Sequence, residues 1–197
     1  VPPTLVSFAV AMTKASKTIS AEFKKSGSKV IYVPVPEDKE SLLPDWEKLK
    51  SMYNAVYNLM KENKVLAASV VREGGAAATV CRMSFGNKIG FKFTNNLTND
   101  ELFAPLSGSL VLELADGAEL DGSVTAYDLG TTTDDGNITV NGSVLSIDEL
   151  IDEWTKKLEK VFPTKAECPQ NQVQVPLYTE RNTSSPMIKT AKPKVFI

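Results

Sequence analysis

The order of periodicities along the chain predicts an α/β (α+β) layered domain. Short apolar runs rich in β-branched residues alternate with stretches of helical period, and one run passes through a glycine turn directly into a helix-like segment. Several runs are apolar on both faces, which a mixed sheet with helices on both sides hides best. At 197 residues, 42% hydrophobic and 23% charged, the chain can build one sizeable core, or a core plus a tail.

In chain order, Leu5-Val6-Ser7-Phe8-Ala9-Val10-Ala11-Met12 is apolar on both faces and is expected to be a buried strand. A polar, Lys-rich stretch over 13–28 closes in the turn Ser26-Gly27-Ser28, and Lys29-Val30-Ile31-Tyr32-Val33 follows as a strand ended by Pro34 and Pro36. Trp46, Leu49, Met52, Tyr53, Val56, Leu59 and Met60 then recur at three- and four-residue intervals, which predicts a helix over 45–62 started by Pro44 and Asp45. Residues 65–71 form a third strand. It enters the turn Arg72-Glu73-Gly74-Gly75, and an Ala-rich helix over 76–85 follows with Gly86 at its end. Residues 90–94 and 109–114 are further strands. Asn141-Gly142 between short strands predicts a two-residue type I′ hairpin turn. Ser146-Ile147-Asp148-Glu149 has the spacing of a capping box, opening a helix with Ile147, Leu150, Ile151, Trp154, Leu158 and Val161 on one face until Pro163 stops it.

Charge and composition exclude several classes. A net charge of -2 gives no electrostatic reason to bind nucleic acid or an anionic membrane. No apolar run reaches the roughly 18–20 residues a bilayer span needs. The chain has no histidine, which removes every Ser-His and Cys-His catalytic pair and the commonest transition-metal ligand. Cys81 and Cys168 lack ligand spacing, so a reducing, cytoplasmic location is expected, with Cys81 buried and inert in an apolar helix.

The segment with a functional look is the turn Arg72-Glu73-Gly74-Gly75. Its glycines let backbone N–H groups approach a ligand, and the following helix start favours phosphate. A tight strand-to-helix connection with close packing would use the same residues. Neither GxGxxG nor GxxxxGK[ST] spacing is present. The loop Pro105-Leu106-Ser107-Gly108-Ser109 offers Ser107 and Gly108 to an oxyanion, or serves as the turn into the next strand. Asp116, Glu119 and Asp121, and Asp134 and Asp135, lack the ladder of a calcium loop and are expected to be solvated turns.

Several segments in order resemble the C-terminal half of an aminoimidazole ribonucleotide synthetase-related (PurM-type) module. They are Val6-Ser7-Phe8-Ala9-Val10, Thr18-Ile19-Ser20-Ala21-Glu22-Phe23-Lys24, and the glycine turn with its helix from Gly74-Gly75 through Met83-Ser84-Phe85-Gly86-Asn87. Residues 154–164, Trp-Thr-Lys-Lys-Leu-Glu-Lys-Val-Phe-Pro-Thr, resemble the close of the second such module in the phosphoribosylformylglycinamidine synthase family. Lys192-Pro193-Lys194-Val195-Phe196-Ile197 is similar to the first strand of the glutamine amidotransferase domain that follows it in the large single-chain type.

The resemblance implies a three-layer α/β/α domain with a mixed sheet of partial ferredoxin-like topology. It implies domain bounds of 1–163, a linker over 164–192 and the start of a glutaminase domain over 193–197. It also implies a ligase that uses ATP and Mg²⁺ to amidate formylglycinamide ribonucleotide with glutamine-derived ammonia. This domain would form one wall of a nucleotide or substrate cleft against a preceding PurM-like module, inactive alone; a docking domain with a degenerate site that positions the glutaminase is the alternative. Many family members carry His-Asp-x-Ser-Asp-Gly-Gly at the turn, where this chain has Ser69-Val70-Val71-Arg72-Glu73-Gly74-Gly75. Glu73, Gly74 and Gly75 carry over. Val70 stands at the family's metal-binding Asp and Arg72 at its Ser, so no metal ligand is expected here and Arg72 becomes a candidate for a phosphate.

Overall fold

The computed structural model describes residues 4–165 and Thr179, apart from residues 39, 42, 95 and 96. The chain divides into two compact units, Val1–Phe162 and Pro163–Ile197, and the layered domain lies within the first. Its strands are β1 (Lys29–Val33), β2 (Val65–Val70), β3 (Gly90–Phe93), β4 (Leu110–Leu114), β5 (Tyr127–Thr133), β6 (Asn137–Val140) and β7 (Ser143–Ser146). Its α-helices are α1 (Trp46–Lys61), α2 (Gly75–Phe85), α3 (Asn99–Phe103) and α4 (Ile147–Lys156).

The seven strands form one mixed sheet in the order β2-β4-β1-β5-β3-β6-β7, with β3 and β6 parallel and the other neighbours antiparallel. Strands β1 and β2 both run antiparallel to β4, which lies between them. The β1-α1-β2 unit is therefore a split βαβ, the ferredoxin-like part of the topology.

Two cores sit on opposite faces of the sheet. Met52, Val56 and Leu59 of α1 pack with Ile31, Val33, Val65, Leu110, Leu112 and Leu114. Val80 and Met83 of α2, Leu102 of α3 and Ile147 of α4 pack with Val30, Ala67, Phe91, Val111, Leu129 and Ile138. Helices thus cover both faces, in three layers. The strand period explains the partition: Leu110, Leu112 and Leu114 point one way and Val111 the other. In β2, Val65 and Ala67 are two apart yet belong to opposite cores, because a register shift falls between them. Burying each of Met52, Val56 and Leu59 stabilises the α1 layer by roughly 1.5–3 kcal/mol.

Residues 5–12 depart from expectation. They form neither helix nor strand, and Leu5 is 95% exposed, Phe8 87% and Met12 100%. A strand apolar on both faces needs a hydrogen-bonded neighbour and two covering layers, and no described residue supplies them. Helix α4 ends at Lys156 rather than near Pro163, leaving Leu158 and Val161 exposed. Ser146 is its N-cap without a side-chain hydrogen bond, so the expected capping box is not formed there. The box forms instead at Thr98 and Glu101, opening α3, whose Thr-x-x-Glu spacing was not read because no apolar helical period follows it. The hairpin turn is as expected: Asn141 (φ 48°) and Gly142 (φ 81°) join β6 to β7. The strand expected at 194–197 and, apart from Thr179, the linker beyond residue 165 lie outside the described residues.

Candidate functional site

β2 delivers the chain to the turn at 72–75 at its C-terminal end, where open α/β sheets place ligands. Gly74 (φ 85°) and Gly75 (φ 63°) are both left-handed. The Gly75 N–H donates to the Arg72 carbonyl at 2.9 Å and the Ala78 N–H to the Gly74 carbonyl at 3.1 Å. The first amides of any helix lack partners inside it, and among the described residues those of Ala76 and Ala77 have no carbonyl partner. The side chains of Arg72 and Glu73 are exposed and make no hydrogen bond or ion pair among the described residues.

The glycines also have a packing reason. A Cβ on Gly75 would lie 2.4 Å from the Leu102 carbonyl oxygen and 2.6 Å from the Phe103 carbonyl carbon, so α2 begins against the backbone of α3. Both readings of the turn, close packing and ligand approach, are compatible with this geometry.

The loop at 104–109 leaves α3 and reaches β4 beside the turn. The Val71 N–H donates to the Ser109 carbonyl at 2.8 Å, which brings the two sequence-predicted segments together at one end of the sheet. Ser107 is exposed. Gly108 accepts a 2.9 Å hydrogen bond from the Tyr53 hydroxyl at its carbonyl oxygen. Ser109 is fully buried, and its hydroxyl accepts from the Val35 N–H at 2.9 Å. Burial raises the Tyr32 phenol above its ordinary value, against the opposing interaction with the Ser109 side chain. The loop is therefore tied to β1, α1 and β2, leaving Ser107 as its exposed polar side chain.

Sequence reasoning missed the roles of two residues of this framework and of a third toward the other end of β4. Tyr53, assigned to the core face of α1, is 41% exposed and spends its hydroxyl on the Gly108 carbonyl. The sequence places Ser109 both in the 105–109 loop and at the start of a strand, without the role of its buried hydroxyl. Glu113 is fully buried in β4 and accepts from the Lys24 N–H at 2.8 Å and the Lys25 N–H at 3.3 Å, fastening the 24–25 segment to the sheet. A single carboxylate inside Leu-Val-Leu-Glu-Leu was its available signal.

Among the described residues no group of three or more His, Cys, Asp or Glu is placed to hold a metal ion. The turn does not fit Mg²⁺: Val70 is aliphatic, and Glu73 is a lone exposed carboxylate where such an ion needs several oxygens. The acidic loops are turns. Asp116 pairs with Lys25 at 2.8 Å, Asp121 accepts from the Ser123 N–H, and Asp135 accepts from the Thr133 hydroxyl and the Asn137 N–H. Cys81 is half-buried and free rather than fully buried, and burial pushes its thiol up, away from the reactive thiolate. No described helix is long and apolar enough to cross a membrane.

No protein-family model matches the chain. A phosphoribosylformylglycinamidine synthase subunit PurL from Picrophilus torridus is 31% identical over 166 residues, which cover 73% of this chain and 22% of that relative. Among solved structures, Thermotoga maritima PurL complexed with FGAR superposes with a TM-score of 0.55 at 8% identity, covering 84% of this chain and 33% of that one. The same organism's PurL complexed with ATP gives a TM-score of 0.53 at 8% identity, covering 70% and 28%. Its PurLQS structure gives 0.53 at 9% identity, covering 85% and 32%. The chain thus spans between a fifth and a third of these PurL relatives.

Proposed function

Because the chain is a PurL-related domain of PurM-like fold, we propose that it forms one wall of a nucleotide or substrate cleft in a phosphoribosylformylglycinamidine synthase. The reaction is the ATP-dependent amidation of formylglycinamide ribonucleotide, with ammonia released from glutamine by a glutaminase partner. The single observation that carries the placement is the junction of the 72–75 turn with the 104–109 loop through the Val71–Ser109 hydrogen bond.

At that junction the Arg72 guanidinium supplies a permanent cation with a paired-donor geometry suited to phosphate. The amides of Ala76 and Ala77 and the positive end of the α2 dipole favour the same oxygens. The Ser107 hydroxyl adds a donor from the neighbouring loop. The hydrogen bonds of Tyr53 and Ser109 hold that loop in place without reorganisation. ATP would supply the activation of the amide oxygen, and this turn offers no ligand set for the Mg²⁺ that would accompany it. The chain has no histidine and no self-sufficient acid–base pair at this end, so it binds and orients while the reacting groups come from a preceding PurM-like module.

A second reading is favoured by the Gly75 contacts with Leu102 and Phe103, which account for the glycines by packing alone. With Val70 and Arg72 at the family's metal and nucleotide positions, the domain would then be a docking element with a degenerate site. Equilibrium binding of a non-hydrolysable ATP analogue and of formylglycinamide ribonucleotide to the intact polypeptide separates the two. Arg72→Ala is expected to weaken one of them by about 10–100-fold, the cost of losing a charge-assisted contact. Unchanged binding and an unchanged KM would establish the docking reading.

A further inference from the structure

The face of the sheet that carries α2, α3 and α4 keeps a cavity of about 370 Å³ that no described side chain fills. Ile138 and Leu145 line it from the sheet, Cys81 from α2, Phe103 from α3 and Trp154 from α4. Helices α2 and α4 meet at Phe85 and Trp154, whose ring centroids are 5.5 Å apart. The space opens beside Ala77, Ala78 and Cys81, whose side chains are too short to fill it. Leu145, Phe103 and Trp154 consequently remain 41%, 54% and 62% exposed around one concavity. Clustered apolar exposure of this kind marks a surface that takes an occupant, and the volume falls within the range of small-ligand sites, about 300–1,000 Å³.

The polar content of the cavity specifies the occupant's chemistry: it consists of one cation and one thiol. The Arg82 guanidinium lines the cavity and donates to the buried Thr79 hydroxyl at 3.5 Å, which leaves most of its donors unspent. Among the described residues no carboxylate lines the cavity and Arg82 has no ion-pair partner. Asp148 and Glu153 of α4 pair instead with Lys88 and Lys156. An anion is therefore complemented at the Arg82 position and nowhere else in the lining.

We propose that this cavity binds a small amphipathic monoanion, an alkyl or aryl carboxylate whose apolar body lies among Ile138, Leu145 and Trp154 and whose carboxylate meets Arg82. A neutral apolar ligand would leave the guanidinium unused. A phosphate dianion would meet a single cation in an otherwise apolar lining, where uncompensated charge is expensive. A planar carboxylate matches the guanidinium fork and is neutralised by it. The proposal does not depend on nucleotide binding at the 72–75 turn.

Octanoate, with 1-octanol as its uncharged counterpart, tests it in the 197-residue chain and in the intact polypeptide. The readouts are equilibrium dialysis and the rate at which N-ethylmaleimide alkylates Cys81, followed on the Cys81 peptide by mass spectrometry. Octanoate is expected to bind once per chain and to slow Cys81 alkylation, and 1-octanol to bind at least about tenfold more weakly, the cost of losing a charge-assisted contact. Arg82→Gln, at an exposed position, lowers octanoate affinity to the same extent and leaves 1-octanol unchanged. Cys81→Phe fills the cavity and abolishes the binding of both. Equal octanoate affinity in Arg82→Gln and the parent, or binding that leaves Cys81 alkylation unchanged, would overturn the proposal. Octanoate binding to the 197-residue chain but not to the intact polypeptide, with Cys81 already shielded there, would overturn it in favour of a polypeptide segment as occupant. Neither result bears on the nucleotide reading, which is tested at Arg72.

Discussion

Gly75 answers to two constraints: its φ of 63° is one that side chains with a Cβ rarely adopt, and the Leu102 carbonyl leaves no room for one. Gly75→Ala should therefore destabilise the domain by roughly 2–4 kcal/mol in urea unfolding, combining backbone strain with the contact clash. Arg72→Ala, at an exposed position without partners, should stay within about 0.5 kcal/mol of the parent. That contrast separates the turn's structural residues from its candidate ligand residue. Glu22 provides a pH prediction. Hydrogen bonds from the Lys24 ammonium and the Ser20 hydroxyl lower its carboxyl to about 2. A lowered folded-state value means that its contribution is present above the ordinary 4.5 and is lost as pH falls toward 2. An NMR titration should find Glu22 ionised at pH 3.5, and Lys24→Met should move its midpoint up toward the ordinary range. Glycine in a turn was legible in the sequence. That Gly75 is fixed by α3 was not, because the contact joins residues 27 positions apart through a helix the pattern did not announce.

Helices and strands were legible where a period persisted. The bounds of α1 and of β1 to β4 follow apolar spacing that the two cores then use, and the Asn141-Gly142 hairpin follows from turn chemistry alone. Strand β5 was missed because its Thr131, Thr132 and Thr133 carry β propensity without apolar alternation, and α3 because five residues are too few to show a helical period. Capping gives a test at this scale. Thr98→Ala removes a formed capping box and should cost about 1 kcal/mol, whereas Ser146→Ala removes a side chain that caps nothing and should cost much less. Equal losses in chemical denaturation would contradict the assignment. Glu113→Ala strips the buried acceptor from the partly buried amides of Lys24 and Lys25 and should cost roughly 1–3 kcal/mol by the same measurement.

At the scale of the molecule, the three layers exist to hold one end of a sheet: the C-terminal ends of β1 and β2 and the start of β4 meet there, and both candidate segments leave from it. The sequence marked the two segments separately. Their meeting depends on β4 being inserted between β1 and β2, a pairing that local pattern does not encode. The first segment, residues 5–12, was legible as a strand in composition but has no sheet within the described domain to join. In the function proposed above, the 72–75 turn and the 104–109 loop together face a nucleotide or substrate. Amide hydrogen exchange on the intact polypeptide, with and without a saturating non-hydrolysable ATP analogue and then formylglycinamide ribonucleotide, tests it most directly. New protection is expected at the amides of 73–77 and 107–109 with at least one of the two ligands, and none in Arg72→Ala. Ligand binding that leaves both segments unchanged, with protection gained only elsewhere in the polypeptide, would contradict it.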